Sequence, residues 1–472
     1  MATSTNDQFD AIIIGAGQAG NPLAKAFASH EQHVAVVERH LVGGSCINYG
    51  CTPTKILIAS AHAAHAVRRA DDFGLAAGDL RVDMPRVRQR KDRLIEKFRE
   101  STLSSLEESE YIKLIRGEAR FVDPHTLTVK LSDGGERHIT APKIFINTGS
   151  SPLLPPIDGL KEAEPLNSTT VMDLEEVPEH LVVLGGGYIG LSFGQMHHRF
   201  GARVTVVESS GEILSGLEDA DVADGLKEIL EEEGVAFKMN TRLTSARRLD
   251  NGELELTLEP AEGETQTIRA SHLLVATGRE PNTKALDLEK AGVTVDDEGY
   301  VEVNDHLATS TPGVWALGDV KGGPAFTHVA YDDFRIVRNH LFEDGTRGVD
   351  DRTLTYTVFT EPQLGRFGLT EEQAKEQGVS YRVAKMPMEY AARAVETGNP
   401  EGFMKILVDN EDKLIGAAIL GLQGGEIAML LKVAARGGLT YQTVQEMVLA
   451  HPTLAESLNN VFSFLEEATE TA

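Results

Sequence analysis

Hydrophobic positions cluster in short runs with a repeated order. Residues 9–14 read Phe-Asp-Ala-Ile-Ile-Ile and lead into Gly15-Ala16-Gly17-Gln18-Ala19-Gly20. A helix-like stretch covers 25–29, a second apolar run covers 34–37, and Glu38 closes it. Such short apolar runs predict strands. The same order returns later. Residues 181–184 precede Gly185-Gly186-Gly187-Tyr188-Ile189-Gly190, a helical stretch follows, and 204–207 end at Glu208. First glycine and acid are 23 positions apart in both copies.

One glycine-rich turn could belong to any α/β protein. Two with the same strands, helix and acid indicate two dinucleotide sites. The first glycine (Gly15, Gly185) permits a tight turn. The second (Gly17, Gly187) admits a pyrophosphate, and the third (Gly20, Gly190) lets helix pack on sheet. The helix N-terminus favours phosphate, and Glu38 or Glu208 accepts hydrogen bonds from an adenosine ribose.

Two more runs end alike, 143–147 in Thr148-Gly149 and 272–276 in Thr277-Gly278-Arg279. Residues 314–317 end in Gly318-Asp319, a place for a carboxylate to meet a ligand sugar. The Pro-containing stretch 151–156 reads as a link. Past residue 350 the pattern changes. Runs at 353–359, 403–408 and 415–420 predict strands, 370–377 a helix, and further helices start near Glu426 and Thr443. The expected fold is α/β, with two Rossmann-like dinucleotide-binding domains, the second inserted into the first, and a C-terminal α+β domain. The segments are 1–152, 153–279, 280–347 and 348–472.

A length of 472 residues suits several domains. With 41% hydrophobic and 25% charged residues, the chain is not of disordered or collagenous type. It has no apolar run near membrane-span length, and the polar start suggests a cytoplasmic protein. The net charge of −27 disfavours nucleic acid and anionic membranes as partners.

The only two cysteines, Cys46 and Cys51, lie in Gly43-Gly44-Ser45-Cys46-Ile47-Asn48-Tyr49-Gly50-Cys51. A bridge over so short a loop stabilises by only about 2 kcal/mol on chain-entropy grounds. Cytosolic disulfides are usually catalytic or redox-sensing, so the pair reads as a working dithiol. Five residues of regular helix would set the side chains about 140° apart. The helix is therefore expected to regularise only near Cys51, with Cys46 at or before its first turn. A helix N-terminus there would lower a thiol pKa.

From Gly43 to Cys51-Thr52-Pro53-Thr54-Lys55 the chain closely resembles the CxxxxC motif of the flavoprotein disulfide reductases, the family of glutathione reductase, lipoamide dehydrogenase and mercuric reductase. The resemblance covers essentially the whole chain. It implies FAD at the first glycine-rich site with Glu38 on its ribose, and Asp319 on its ribityl chain. Gly44, Ser45, Thr148, Gly149 and Gly278 are grouped with the cofactor positions. NAD(P)H would occupy the second site, with Tyr188 gating the nicotinamide pocket. Cys51 would lie against the flavin, Cys46 would meet substrate, and Lys55 would sit near flavin N5. The family is homodimeric through its C-terminal domain.

His451-Pro452-Thr453-Leu454-Ala455-Glu456 admits two readings. Thiol exchange needs an acid–base group that works near neutrality, histidine is the residue type that supplies one, and a carboxylate can orient it. Thr453 and Glu456 also form a capping-box pattern that would start a helix without catalysis. The resemblance favours His451 as acid–base, reaching the partner subunit's cysteines, with Glu456 behind it. His62 and His65 read as a solvated helix face. His197, His198 and His328 carry no assigned role, and no metal site is expected.

The chain departs from the family pattern in two places. Ser192 stands where the family commonly has a Glu paired with the flavin-side lysine. The 462–472 end also lacks the cysteine pair with which mercuric reductases capture Hg(II). Residues 331–338, 353–359 and 451–457 resemble the reactive-chlorine-resistance flavoproteins. Glu208 and Glu212 would repel a 2′-phosphate, so NADH is expected over NADPH. The expected activity carries electrons from NAD(P)H by way of FAD to Cys46–Cys51, then to a disulfide, a reactive sulfur species or a soft metal. Alternatives are a mercuric reductase without capture cysteines, a dihydrolipoamide dehydrogenase, and a non-enzymatic flavin redox sensor.

Overall fold

The computed structural model describes residues 6–466. The extreme N-terminus and the 467–472 part of the cysteine-free tail lie outside the described residues. The chain divides into two compact units. One comprises Met1–Leu57, Pro85–Leu153 and Gly278–Arg352, the other Ile58–Met84, Leu154–Thr277 and Thr353–Ala472.

The first unit is built on an eight-stranded sheet. Its centre is parallel, in the order Ile112–Asp123, Val34–Glu38, Ala11–Ile14, Ile144–Ile146 and Val314–Ala316. Alternate residues feed two cores. Ala11, Ile13, Val34 and Val36 pack with Leu23 and Phe27, while Ile12, Ile14, Ala35 and Val37 pack with Ile144 and Val314. Burial on both faces is why these runs are apolar throughout rather than alternating. The helix after the first turn is Gly20–Ser29, longer than the 25–29 stretch that the sequence suggested. Gly20 is its first residue, because a Cβ there would strike the Gly15 carbonyl.

The chain passes from the first unit to the second between Leu153 and Leu154, inside the 151–156 stretch, and the start of that stretch, Ser150–Pro152, forms an antiparallel ladder with Arg279–Pro281.

The second unit repeats the parallel theme with Ala236–Lys238, Arg203–Val207, His180–Leu184 and His272–Val275. A three-stranded antiparallel sheet lies in the same segment. Beyond Thr353 comes a five-stranded antiparallel sheet, in the order Thr355–Val358, Gln363–Gly368, Leu414–Gly421, Phe403–Asp409 and Tyr381–Pro387. Ile427, Ala428 and Leu431 of helix Gly424–Arg436 join its core. Thr370 and Gln373 form a reciprocal capping box that starts helix Glu371–Glu376. The fold is mixed α/β with Rossmann-like parallel sheets and an antiparallel C-terminal domain.

Candidate functional site

The two cysteines do not share a regular helix. Cys46 lies in the short helix Gly44–Asn48, Tyr49 leaves helical geometry at φ −140°, and Cys51 opens the helix Cys51–Arg68. The break brings the sulfurs within hydrogen-bond reach of each other. The buried Asn48 amide holds the loop before Cys46, donating to the carbonyls of Gly44 (2.9 Å) and Val42 (3.0 Å). Its oxygen accepts from Arg99 Nε at 2.9 Å.

The dithiol loop is stapled to the first glycine-rich turn. The Gly43 N–H donates to the Ala16 carbonyl at 2.8 Å, and Gln18 Nε2 donates to the Gly43 carbonyl at 3.1 Å. Gly44 has φ +63°, and a Cβ there would come within 2.8 Å of Gly17 Cα. Only glycine allows this approach.

The sulfurs differ in character. The hydrogen bond from Cys46 is the largest influence on Cys51. Together with the Thr327 hydroxyl and the Lys55 charge it outweighs burial, and the Cys51 pKa falls from 9.0 to about 5. Cys46, which holds the shared proton and is partly buried, is pushed well up. Burial lowers the pKa of Lys55 against the opposing pull of the two sulfurs. The sequence missed Thr327, whose Oγ1 is 3.2 Å from Cys51 Sγ. No local pattern marks it, because the two residues meet only in the folded unit.

Both glycine-rich turns hold their acids alike. Glu38 accepts from the Ala16 and His40 N–H groups at 2.8 Å each. Glu208 accepts from the N–H groups of Gly186 (2.7 Å) and Ser210 (2.9 Å) and from the Ser209 and Ser210 hydroxyls. Burial opposes ionisation at Glu208, but these donors prevail and keep its pKa below the ordinary value. Gly15 and Gly185 have φ +107° and +108°, and a Cβ there would press on the carbonyls of Asn147 and Ala276 respectively, each just past the end of a neighbouring strand.

These sites fit dinucleotides. Among the described residues, a Cβ on Gly187 or Gly149 would meet nothing within 4 Å, so space is open over both. The Thr148 hydroxyl oxygen is buried and has no hydrogen-bond partner among the described residues, a group suited to a ligand. Asp319 lies in the first unit, where Ser150 Oγ donates to it at 2.7 Å and Arg279 Nε stands 3.9 Å away. The turn carrying it, Gly318–Lys321, is fixed by fully buried Asp333, which accepts from the Gly318 N–H at 2.8 Å and pairs with Arg352. Arg279, Ser150 and Asp333 were given no role from sequence. Tyr188 opens helix Tyr188–Phe200, and Ser192 is buried within it.

In the C-terminal segment, His451 Nδ1 lies 2.8 Å from Glu456 Oε2 and 3.0 Å from Oε1. Thr453 Oγ1 does accept from the Glu456 N–H at 3.2 Å. The Glu456 carboxylate turns to the histidine, however, so the reciprocal half of the capping box is not made. The His451 ring is mostly exposed, at 67%.

His62 and His65 require a correction. They are not a plainly solvated face. His62 Nε2 is 3.4 Å from Glu361 and His65 Nδ1 is 3.9 Å from Glu233, two carboxylates joined by buried Arg199. Burial and the Arg199 charge hold the pKa of both rings below the ordinary value.

Comparison with known proteins agrees with this architecture. Residues 9–333 match the pyridine nucleotide-disulphide oxidoreductase family, and 354–462 match its dimerisation domain. The chain belongs to this family, whose enzymes are flavoproteins that bind FAD and NAD(P)H. It is 36% identical to the probable pyridine nucleotide-disulfide oxidoreductase RclA of Escherichia coli strain K12, over 98% of this chain and all of that one. It is 35% identical to a Streptomyces lividans mercuric reductase (95% of this chain, 94% of that one). Identity to a Geobacillus stearothermophilus dihydrolipoyl dehydrogenase is 34%, with the same coverage. Among solved structures, the Cu(II) complex of the HOCl-induced flavoprotein disulfide reductase RclA superposes with a TM-score of 0.88 at 35% identity, over 97% of this chain and 99% of that one. No described helix is long and apolar enough to cross a membrane.

Proposed function

We propose that this protein is an NADH-dependent flavoprotein reductase whose Cys46–Cys51 dithiol reduces an oxidised sulfur compound. The observation that carries the reading is the contact of the dithiol loop with the first glycine-rich turn through Gly43, Gly44 and Gln18. FAD, bound at that turn, supplies the two-electron link between nicotinamide nucleotide and dithiol. Glu38 holds the ribose there, Asp319 the sugar chain, and the Thr148–Gly149 backbone lines the site. Gly185, Gly187, Gly190, Tyr188 and Glu208 hold NADH, and segments 1–152 and 280–347 act as one flavin domain.

The chain's own groups account for the thiol steps. In the reduced protein Cys51 is the thiolate, steadied first by the hydrogen bond from Cys46, which keeps the proton, and then by Thr327 and Lys55. Cys46 is the sulfur assigned to substrate, so it needs a base. His451 of the partner subunit serves, its ring oriented by Glu456. The Cys46 thiolate attacks the electrophilic sulfur of the acceptor. A mixed disulfide forms, and the leaving group takes the proton from His451. Cys51 then attacks Cys46, closes the disulfide and releases the reduced substrate thiolate. The homodimer that this requires would form through the C-terminal domain, and we place the enzyme in the cytoplasm.

The likeness to a reductase solved with Cu(II) and to mercuric reductases supports a second acceptor class, soft metal ions. Anaerobic NADH oxidation by the FAD-loaded protein tests both. Turnover with small disulfides or hypothiocyanous acid, abolished by Cys46→Ser, supports the main reading. Turnover confined to Cu(II), or to Hg(II) in excess thiol, replaces it with the second. Turnover that survives Cys46→Ser contradicts both.

A further inference from the structure

Three carboxylates of the second unit, Asp219, Asp221 and Glu371, have oxygens within 4.8 Å of one another. Their positive charge comes from the protein itself. The Lys405 ammonium lies 3.1 Å from Asp219, 2.7 Å from Asp221 and 2.6 Å from Glu371, and its side chain is 1% exposed. Beside it, Arg366 is equally buried and pairs with Glu218 through both Nε and Nη2. The Tyr356 hydroxyl donates to Glu218 Oε1 at 2.6 Å and approaches the Leu217 carbonyl at 2.9 Å. The N–H groups of Glu371 and Glu372 both reach Asp219 at 3.2 Å.

Burying this many charges is costly, and an apolar core of the same volume is often as stable. Such a network is better explained by the arrangement that it enforces. Arg366, Lys405 and Tyr356 come from the antiparallel C-terminal sheet. Glu218 and Asp219 end the loop that follows Glu208. That loop returns to the second glycine-rich turn, where the Leu214 N–H donates to the Gly186 carbonyl at 3.1 Å. Leu214 is buried at φ +52°, a backbone region unfavourable for leucine that persists only where the surroundings impose it. The loop is thus fixed at both ends. Glu208 and the Gly186 carbonyl hold one end, and buried cations of another segment hold the other.

We infer that Arg366 and Lys405 are positioning residues for the second dinucleotide site, clamping the 209–219 loop so that Glu208 and the Gly186 turn stay in binding form. This rests on the proposed assignment of that site to nicotinamide nucleotide. It makes nucleotide affinity depend on the C-terminal sheet, which carries none of the nucleotide-binding residues.

The test uses the FAD-loaded protein and measures NAD⁺ binding by calorimetry, with hydrogen exchange read along the chain. Arg366→Met and Lys405→Met should raise the NAD⁺ dissociation constant about tenfold, a loss of about 1.4 kcal/mol. Exchange should rise at 209–219, while flavin content and Cys51 alkylation are unchanged. Arg366→Lys should recover part of the affinity. Tyr356→Phe, a milder variant that keeps all the charges, should weaken binding about two- to threefold. An unchanged dissociation constant in Tyr356→Phe and Arg366→Met overturns the inference. So does an increase in exchange spread over the whole chain, which marks a purely structural role. Gly187→Val separates the two levels. If it leaves NAD⁺ affinity intact, the site assignment fails and the inference fails with it. If it abolishes binding while the clamp variants bind normally, only the inference fails.

Discussion

The hydroxyl of Thr327 lies 3.2 Å from the sulfur of Cys51, although 276 positions separate them in the chain. The hydrogen bond from Cys46 contributes most, and Thr327 and Lys55 add to it in making the second cysteine of the motif the charged one. Thr327→Val removes the donor and keeps the shape. A hydrogen bond to a charged group is worth about 1.5 kcal/mol at the low end, so the Cys51 pKa should rise by about one unit. The pH dependence of Cys51 alkylation in the reduced protein measures this, and an unchanged midpoint would remove Thr327 from the account.

The two thiols should titrate far apart. In the reduced protein, alkylation at Cys51 should rise as pH passes about 5, while Cys46 stays slow up to and beyond its ordinary value of 9.0. The stability consequence has a definite sign. Between these limits the unfolded chain holds a proton on Cys51 that the folded chain lacks, so Cys51 adds stability as pH rises from about 5 towards 9.0 and loses it on acidification. Above 9.0 Cys46 works the other way, because the folded chain then retains a proton that the unfolded chain releases. Thermal melts of reduced wild type and Cys51→Ser across this range should converge at the acid end.

Gly44→Ala should uncouple thiols from flavin. Its Cβ would come within 2.8 Å of Gly17 Cα at a backbone angle that favours glycine. The expected outcome is a protein with normal far-UV circular dichroism and sharply reduced flavin content. Full flavin occupancy would contradict the packing argument.

His451→Ala should lower acceptor turnover by about a hundredfold or more, as loss of a general acid–base group does, and leave flavin reduction by NADH unchanged. Glu456→Gln should cost about tenfold, because it only orients the ring. Equal loss in both half-reactions would show a structural role instead.

Glu208 should select against NADPH. Its carboxylate is fixed by four donors and kept ionised, so a 2′-phosphate there meets a charge that cannot swing away. The ratio of kcat/KM for NADH to that for NADPH should exceed about tenfold, equivalent to about 1.4 kcal/mol. A ratio near or below unity would reverse the assignment.

What was legible in the sequence was local or repeated. The two turns and their acids could be read because each lies within one strand–helix–strand stretch. The break between Cys46 and Cys51 followed from helix geometry alone. Contacts between distant segments could not be read. Arg279 closes the Thr277-Gly278-Arg279 run and Asp333 lies in 331–338, yet neither stretch, nor the one around Thr327, announces the contact that its residue makes in the candidate site. His62 and His65 look solvated by spacing, yet the fold sets them against Glu361 and Glu233. Thr453 and Glu456 fit two local patterns equally well, and the choice between them depends on where one carboxylate points.

In the proposed reaction, electrons from the nucleotide arrive at Cys46 and Cys51. The most direct measurement adds one equivalent of NADH anaerobically to the oxidised FAD-loaded protein, quenches with acid, labels free thiols and locates the labels by mass spectrometry. Labels are expected at both Cys46 and Cys51 and are absent without NADH. Oxidation of the nucleotide with neither cysteine becoming labelled would contradict the proposed reaction.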